Sequence, residues 1–480
     1  RQSEVFIIAA NTGFNKKVDI KRSNKPFGLI DKVAYFFGDF GNDFSFLLMS
    51  NFLMIFYTDV LGISPVATGT LFIIARLIDA FADITIGRLV DNAKLTKLGR
   101  YIPWISWVRP FIFISTILCF MPFAVNFSMS IRVAYIYVTY IFWGITYSAT
   151  NIPYGTMASA ITQDPDHRNS LSTWRSVGGA LGGTIVGFSV PLFMHNSQGN
   201  VSGIRMLFIA IACAVIAFIS YTFTVHFSHE RVQIQKTEKV GTWHLLGALF
   251  HNRALMSIVS AALILLVSNG MTSGLNAYLF NGYFHSAVGM ALSTMMNTLT
   301  TIMIAPFAKW ASTKFGKKEF SQWALLFSSA MFFLLFTLKL TNAPVFICLL
   351  FFATLGSGAF NVMIWAFMTD VIDYQEFIDG SREDGTVYAL YSFARKVGQA
   401  IMGGMSGYLL AMLGYHAVAG GSTQSASTNQ GIYNIVTIIP GIGYLCVALI
   451  LFLWYPLCKS KVLEFSKILR DKADSDGSIE

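Results

Sequence analysis

Long apolar stretches recur along almost the whole chain, and this recurrence constrains the fold more than any other feature. About twelve of them are long enough to cross a bilayer, which takes ~20 mostly apolar residues in a helix. They lie near 33–57, 66–90, 103–124, 133–161, 172–193, 204–226, 254–281, 287–308, 320–338, 344–370, 386–413 and 432–457. Only 12% of the 480 residues are charged, whereas soluble domains carry roughly 25%. We therefore predict an all-α membrane protein with about twelve transmembrane helices.

Basic residues are unevenly divided between the two sides that these stretches define. The side with both chain ends, the even-numbered turns and residues 227–253 holds 25 of the 34 Lys and Arg residues. The opposite loops hold only Arg132, Arg205 and Lys339. By the positive-inside rule, both termini are predicted to be cytoplasmic. The net charge of +9 therefore reflects topology and does not indicate a surface that binds nucleic acid.

A short internal repeat divides the chain into two halves. Residues 96–100 read TKLGR and residues 313–317 read TKFGK, each just after the second apolar stretch of its half. This indicates the parallel-repeat architecture of major facilitator transporters, which bind substrate between their halves near the middle of the membrane. The predicted parts are an N-terminal segment 1–30, a six-helix bundle 31–226, a linker 227–253, a second bundle 254–457 and a tail 458–480.

The second apolar stretch contains ionisable residues, which are costly inside a membrane. Arg76, Asp79 and Asp83 follow the spacing i, i+3, i+7, so they project from one face of a helix. Each such group costs at least ~3 kcal/mol in hydrocarbon unless it faces a partner or a watered cavity. Two carboxylates one turn apart beside a guanidinium suit the uptake and release of a cation. The alternative is a structural Arg–Asp pair, which would need only one of the two acids.

Several segments together carry a family resemblance. These are YFFGDFGNDFSFLLMSNFLMIFYTDVLGIS in the first stretch, ARLIDAFAD in the second, GRYIPW at 99–104, NIPYG at 151–155 and DVIDYQE at 370–376. In this order and spacing, the chain resembles the glycoside–pentoside–hexuronide cation symporters, the melibiose permease family of the major facilitator superfamily. The resemblance implies a protein of the bacterial cell membrane that transports a glycoside or oligosaccharide together with a monovalent cation.

The resemblance also assigns candidate residues. It implies a cation site at Asp79 and Asp83 and a sugar site at Asp43, which lies about eleven residues into its helix, or ~16 Å along a core of ~30 Å. A carboxylate there can accept two sugar hydroxyls through charge-assisted hydrogen bonds. The other candidate sugar ligands are Asn42, Asn151, Arg175 and Lys396, with Tyr147 and Tyr391 among the aromatic residues on which the ring could stack. The resemblance implies that Lys396 links the sugar and cation sites.

Departures from the melibiose permease pattern bear on the ion and the sugar. Ala82 stands where that protein has an asparagine, so an amide oxygen suited to Na⁺ is missing while both acids remain. Two neighbouring acids can share a proton, and we therefore favour H⁺ coupling; Na⁺ stays open, with Ser148 as a substitute ligand. Asn151 replaces an acid and Gly155 replaces an aromatic residue, so a galactoside of the melibiose type is not expected.

The loop after the second stretch is the predicted gate. Asp91 and Arg100 resemble the acid and base with which this superfamily latches its halves on the cytoplasmic side, and the acidic segment 370–384 is a candidate partner. An exposed ion pair contributes only ~0–1 kcal/mol, but a switch between nearly equal states needs little more.

Other classes of protein fit less well. The sequence has no HExxH, GxSxG or P-loop motif, so we predict a transporter that acts as a monomer, without a cofactor and without catalysis. A lipid or drug transporter of the same superfamily would be expected to have a more apolar cavity. A permease-like sugar sensor is the other alternative, although no signalling domain is apparent.

Overall fold

Twelve α-helices dominate the described part of the chain. The structure, a computed structural model, describes residues 26–231, 252–379, 384–419, 424–464 and 468, except positions 94, 97, 163 and 198. The helices are α1 (Leu29–Ile55), α2 (Pro65–Asn92), α3 (Tyr101–Cys119), α4 (Met129–Ile161), α5 (Pro165–Phe193), α6 (Gly203–Phe227), α7 (Arg253–Gly282), α8 (Ala287–Phe315), α9 (Lys317–Leu338), α10 (Ala343–Asp379), α11 (Asp384–Met412) and α12 (Ala426–Leu449). Short π-helical segments continue α1 (Phe56–Val60) and α12 (Ile450–Trp454). The predicted all-α class is confirmed.

Local chemistry explains where helix ends differ from the apolar stretches. Helix α5 begins well before residue 172 because Asp164 caps it, accepting the backbone N–H groups of Asp166 (2.8 Å) and His167 (3.2 Å). The bonds from His167 and Asp166 hold the pKa of Asp164 below its usual value. Helix α3 ends at Cys119 rather than near 124, since Pro122 starts a separate 3₁₀ helix. A capping aspartate and a proline therefore set helix ends that the apolar stretches locate only approximately.

The same helix pairs pack in both groups of six. Helix α1 packs on α5 and α6, α2 on α4, and α3 on α4 and α6. Six helices later, α7 packs on α11 and α12, α8 on α10, and α9 on α10 and α12. The two groups meet where α2 contacts α11, α5 contacts α8 and α1 contacts α7. This correspondence is what a parallel repeat produces, and it brings α1, α2, α5 and α11 together around the contact between the groups.

Glycines allow two of these helix pairs to approach closely. A Cβ atom at Gly69 of α2 would lie 2.7 Å from the Gly404 carbonyl oxygen of α11. A Cβ at Gly182 of α5 would lie 2.8 Å from the Phe40 carbonyl oxygen of α1. Small residues at such contacts are typical of membrane helices, where close backbone packing replaces much of the hydrophobic driving force.

Eight of the described helices are long and apolar enough to cross a membrane, by length and composition. They are α3, α5, α6, α7, α8, α9, α10 and α12. Helices α1, α2, α4 and α11 carry most of the charged and amide residues that the sequence marked as candidates, and Arg175 lies on α5. The chain is a multi-pass membrane protein with these polar residues inside its helices.

Candidate functional site

Two carboxylates of α1 lie against a glycine of α5. A Cβ atom at Gly179 would lie 2.8 Å from an Asp39 carboxylate oxygen and 2.9 Å from an Asp43 carboxylate oxygen. The two acids are four residues apart and so share one face of α1. Only a residue without a side chain leaves both carboxylates free to occupy this space. Asp43 therefore lies at the packed α1–α5 contact, and its role as a sugar ligand stays a prediction.

Arg175 of α5 is positioned by Asp39. Its Nε donates to Asp39 Oδ1 at 3.1 Å, and its guanidinium lies 5.1 Å from the centre of the Tyr154 ring. The Arg175 side chain nevertheless stays 35% exposed, and a Cβ on Gly155 would lie 3.5 Å from its Nη1. Gly155 stands where the family resemblance implies an aromatic residue. Its missing side chain leaves space next to the Arg175 guanidinium.

Asn42 belongs to a buried hydrogen-bond chain that joins three helices. Its Nδ2 donates to the Tyr147 hydroxyl of α4 at 3.0 Å. Its Oδ1 accepts from the Tyr221 hydroxyl of α6 at 3.0 Å. Tyr221 was not a candidate in the sequence, because a tyrosine 179 residues away in an apolar helix carries no local signal. These two hydrogen bonds fix the orientation of the Asn42 amide, and Asn42 is the neighbour of Asp43 in the sequence.

The remaining sugar candidates occupy different environments. Asn151 on α4 has a buried Oδ1 without a hydrogen-bond partner, so an acceptor is left for a bound group. Tyr147 is stacked between Phe46 and Trp143, with ring centres 5.3 and 5.2 Å away, and its ring faces are taken up by packing. Tyr391 on α11 is buried.

The acids of α2 each have a basic partner. Arg76 Nη1 lies 3.2 Å from Asp79 Oδ2, and both side chains are largely buried. Asp79 Oδ1 is buried and has no hydrogen-bond partner. A carboxylate oxygen left unpaired in a low-dielectric interior is costly, so binding of a proton or a metal ion there would be favourable.

Asp83 reaches across to the other group of helices. Its Oδ2 pairs with Lys396 Nζ of α11, and Asp83 is 16% exposed whereas Lys396 is 45% exposed. Lys396 was predicted as a sugar ligand that links the sugar and cation sites, and its contact here is with the second acid of the candidate cation site. The pair connects α2 and α11 through a charge interaction that a bound cation would alter.

Replacing Gly144 by alanine is expected to lower gradient-driven uptake at least about tenfold. Gly144 of α4 packs directly against Asp79 Oδ1, and a Cβ there would overlap that oxygen, displacing the carboxylate from its position. Ser148, the predicted additional cation ligand, is buried one turn further along α4. The control is Gly441→Ala on α12, because a Cβ at Gly441 would have its nearest neighbour, Phe332 Cβ, at an ordinary packing distance of 3.5 Å. Equal uptake by the two variants would contradict the proposed role of the Asp79 position.

Arg100, one of the two predicted gate residues, lies at the N-terminal end of α3, beside Glu230. The Arg100 N–H donates to Glu230 Oε2 (2.8 Å), and the Tyr101 and Ile102 N–H groups donate to Glu230 Oε1 (both 2.7 Å). Burial raises the pKa of Glu230, although these three bonds oppose that shift. The Asp91 side chain lies outside the described residues, so a latch between the halves stays a prediction.

Hydrogen bonds join the two groups of helices beyond the C-terminal end of α1. The Tyr415 hydroxyl donates to Asp59 Oδ1 at 2.7 Å, and the Thr58 and Tyr278 hydroxyls are 2.9 Å apart. Thr58 also donates to Asp59 at 2.8 Å. We call Thr58, Asp59, Tyr278 and Tyr415 the closure cluster. It links the two groups at this end of their contact, whereas the Arg175 and Lys396 side chains remain 35% and 45% exposed.

Comparisons with known proteins agree with a major facilitator fold. The family model described as MFS/sugar transport protein matches residues 34–459. The glucuronide carrier protein homolog of Escherichia coli (strain K12) is 30% identical over 438 residues, covering 90% of this chain and 93% of the relative. The isoprimeverose transporter of Lactiplantibacillus pentosus is 31% identical over 429 residues, 88% of each chain. The crystal structure of a D-xylose-proton symporter superposes with a TM-score of 0.61 at 14% identity, covering 89% of this chain and 98% of that one.

The family match and the relatives define a membrane transporter rather than an enzyme. The chain belongs to the MFS/sugar transport protein family. Its resemblance to the glycoside–pentoside–hexuronide symporters is confirmed, and the structural likeness to the xylose symporter supports the fold alone.

Proposed function

We propose that this protein carries a glycoside or oligosaccharide across the bacterial cell membrane together with a monovalent cation, by alternating access. The observation that supports it most is the buried Asp79 oxygen without a partner, next to an acid that bridges to the other group of helices. The sugar site is formed by Asp43, Asn42, Asn151 and Arg175. Relatives named for glucuronide and isoprimeverose favour a glycoside over the lipid, drug and sensor alternatives.

The cation in this proposal is a proton. Asp79 Oδ1 is packed against Gly144, which leaves room for a hydrogen atom and little for a metal ion. Sodium prefers several oxygen ligands, whereas a proton needs one. Protonation would neutralise Asp79, and the charge balance among Arg76, Asp83 and Lys396 would then change across the contact between the two groups.

The proposed cycle starts from a state closed on the outside. With both termini in the cytoplasm, the closure cluster lies at the outer face, and the partly exposed Arg175 and Lys396 side chains face an inward opening. The halves 31–226 and 254–457 would then rock about the sugar site in the monomer, with Asp91 and Arg100 in the opposing cytoplasmic latch.

Removing one hydroxyl from the closure cluster should favour outward opening. Tyr415→Phe deletes the bond to the buried Asp59 carboxylate, and a hydrogen bond to a charged group contributes ~1.5–3 kcal/mol. We expect roughly a tenfold rise in outward-open molecules, measured by labelling Ser50→Cys with an impermeant maleimide from outside, in a chain whose five native cysteines are replaced. Asp59→Asn keeps an acceptor for Tyr415 and should show a smaller rise. Unchanged labelling in Tyr415→Phe would contradict an outer closure here.

The substrate is identified by an uptake and thermal-shift screen with purified protein in vesicles. The screen covers α- and β-glycosides, xylosides and glucuronides, first with and then without a proton gradient. A glycoside that is concentrated only when a gradient is imposed supports the proposal. Uptake of lipids or hydrophobic drugs with no response to any glycoside would overturn it.

A further inference from the structure

Arg109, in the middle of α3, is a charged residue without a polar partner in the described part of the chain. Its Nε atom is buried and has no hydrogen-bond partner. Neither a carboxylate nor a hydrogen-bond acceptor of the described residues meets its other nitrogens. Its guanidinium carbon lies 5.3 Å from the centre of the Phe218 ring of α6. A charge inside a membrane is costly unless it is paired, so Arg109 needs a partner that these helices do not supply.

The surface around Arg109 belongs to the side of the first group that faces lipid. Helix α3 packs mainly on α4 and α6, which are both in that group. Beside Arg109, the Trp107 side chain is 67% exposed, and Ile219 of α6 is 61% exposed. Large apolar side chains that are exposed on membrane-crossing helices contact lipid, and a tryptophan is typical of the headgroup level. The partner of Arg109 can therefore come from the bilayer.

The Arg109 side chain is directed toward the membrane surface where α3 begins. Arg109 lies eight residues after Tyr101, the first residue of α3, which corresponds to ~12 Å along the helix. Side chains of an α-helix tilt toward its N-terminal end, so Arg109 extends back toward the level of Tyr101. Long basic side chains in membranes bury their carbon stem and bring the charge to the headgroups in this way. In the orientation proposed above, these headgroups belong to the cytoplasmic leaflet.

Ser106 adds a hydroxyl on the same face of α3. It precedes Arg109 by three residues, which is the spacing of neighbours on a helix surface, and it lies on the headgroup side of Arg109. Ser106 is half-buried, and its hydroxyl makes no hydrogen bond to any residue that the structure describes. A guanidinium and a free hydroxyl side by side can bind a phosphate through charge-assisted hydrogen bonds.

The two helices favour an anionic lipid over a zwitterionic one. Neither α3 (101–119) nor α6 (203–227) contains Asp or Glu, so the ammonium group of a zwitterionic lipid would find no carboxylate on them. An anionic phospholipid brings the phosphate without that ammonium group. Deeper in the membrane, the Phe113 and Phe218 rings lie 5.8 Å apart and form an apolar surface between the helices. This surface suits an acyl chain of the lipid whose headgroup is held at Arg109.

We propose that Arg109 and Ser106 bind the headgroup phosphate of an anionic phospholipid whose acyl chain lies against α3 and α6. The site uses none of the candidate sugar or cation residues, so the inference goes beyond the proposed function and does not depend on it. The lipid neutralises the guanidinium inside the membrane. It also holds α3 and α6 together on the surface that faces the bilayer.

The test measures lipid retention by the purified full-length protein in native mass spectrometry. The probes are phosphatidylglycerol and phosphatidylethanolamine with the same acyl chains, supplied at equal concentration in mixed micelles. The unmodified protein should retain phosphatidylglycerol in preference to phosphatidylethanolamine. Arg109→Gln should lower phosphatidylglycerol retention about tenfold, because a hydrogen-bonded charge is lost, and Ser106→Ala should lower it about threefold, as expected for one net hydrogen bond. Arg109→Lys keeps the charge and should retain more lipid than Arg109→Gln.

The control is Lys461→Gln, which removes one positive charge from an exposed position after the last membrane helix, and it should retain as much phosphatidylglycerol as the unmodified protein. A second readout is the melting temperature in detergent. Added phosphatidylglycerol should raise it for the unmodified protein, since a ligand stabilises the state that binds it, and should not raise it for Arg109→Gln.

Three results would overturn the lipid site. The first is equal phosphatidylglycerol retention by Arg109→Gln and the unmodified protein. The second is equal retention of the two lipids by the unmodified protein, because Arg109 would then not select an anionic headgroup. The third is the same rise in melting temperature with inorganic phosphate, which would indicate a phosphate site without a lipid. If Arg109→Gln does not fold, Ser106→Ala decides, and unchanged retention in that variant would overturn the site.

Discussion

Replacing Asp43 by asparagine is expected to weaken sugar binding at least about thirtyfold. The carboxylate lies beside Gly179 and the fixed Asn42 amide, where it can accept two hydroxyls at once. An amide offers a single neutral acceptor, and a hydrogen bond to a charged group contributes ~1.5–3 kcal/mol. Equilibrium binding of the sugar found in the screen measures the loss. The effect should appear with and without a cation gradient, because the contact is to the sugar itself.

The control for Asp43→Asn is Asp166→Asn, an exposed acid in the first turn of α5. It removes the same charge from the same group of helices and should leave affinity unchanged. A melting temperature within a few degrees of the unmodified protein establishes that Asp43→Asn is folded. Sugar affinity within threefold of the unmodified value in a folded Asp43→Asn would exclude Asp43 as a sugar ligand.

Asp79→Asn is expected to abolish concentrative uptake while leaving exchange of external for internal sugar. The substitution imitates a permanently neutral site, so the carrier behaves as if its cation were always bound and no longer needs the gradient. The lost accumulation should be at least about a hundredfold under an imposed proton gradient, since coupling is removed rather than weakened. Counterflow in preloaded vesicles measures the exchange.

Because Asp79 also pairs with Arg76, the experiment must distinguish a structural role of this contact from a coupling role. If the 3.2 Å contact only held α2 in place, Asp79→Asn would lower exchange and accumulation together and reduce the melting temperature. Loss of accumulation with exchange retained points to a coupling site. Full accumulation under a gradient in Asp79→Asn would contradict a cation site at this residue.

The fold and the charged residues of α1 and α2 could be read from the sequence for physical reasons. Membrane helices must be long and apolar, so the twelve helices stand out, and any acid within them is conspicuous because of its cost. Asp43, Asp79 and Asp83 were found in this way together with the family resemblance. The same logic gave the basic partners, although it did not predict which base meets which acid.

Contacts between distant segments were not predictable from local patterns. The resemblance implied that Lys396 links the sugar and cation sites, but the sequence did not predict that its partner is Asp83, more than 300 residues away. Tyr221 lies in a strongly apolar helix, where a tyrosine indicates packing as readily as a hydrogen bond. The sequence did not predict the closure cluster because Asp59 lies at a helix end, where an acid is not costly. Only the structure shows that Tyr415 of the other group contacts it.

Sugar-driven movement of the coupled ion tests the transport scheme most directly. Vesicles with the protein oriented as in the cell are placed in weakly buffered medium, the identified sugar is added, and external pH is recorded with and without Na⁺. The prediction is an immediate alkalinisation that needs no Na⁺ and is absent in Asp79→Asn. Sugar accumulation in unmodified vesicles with neither a pH change nor dependence on Na⁺ would contradict it.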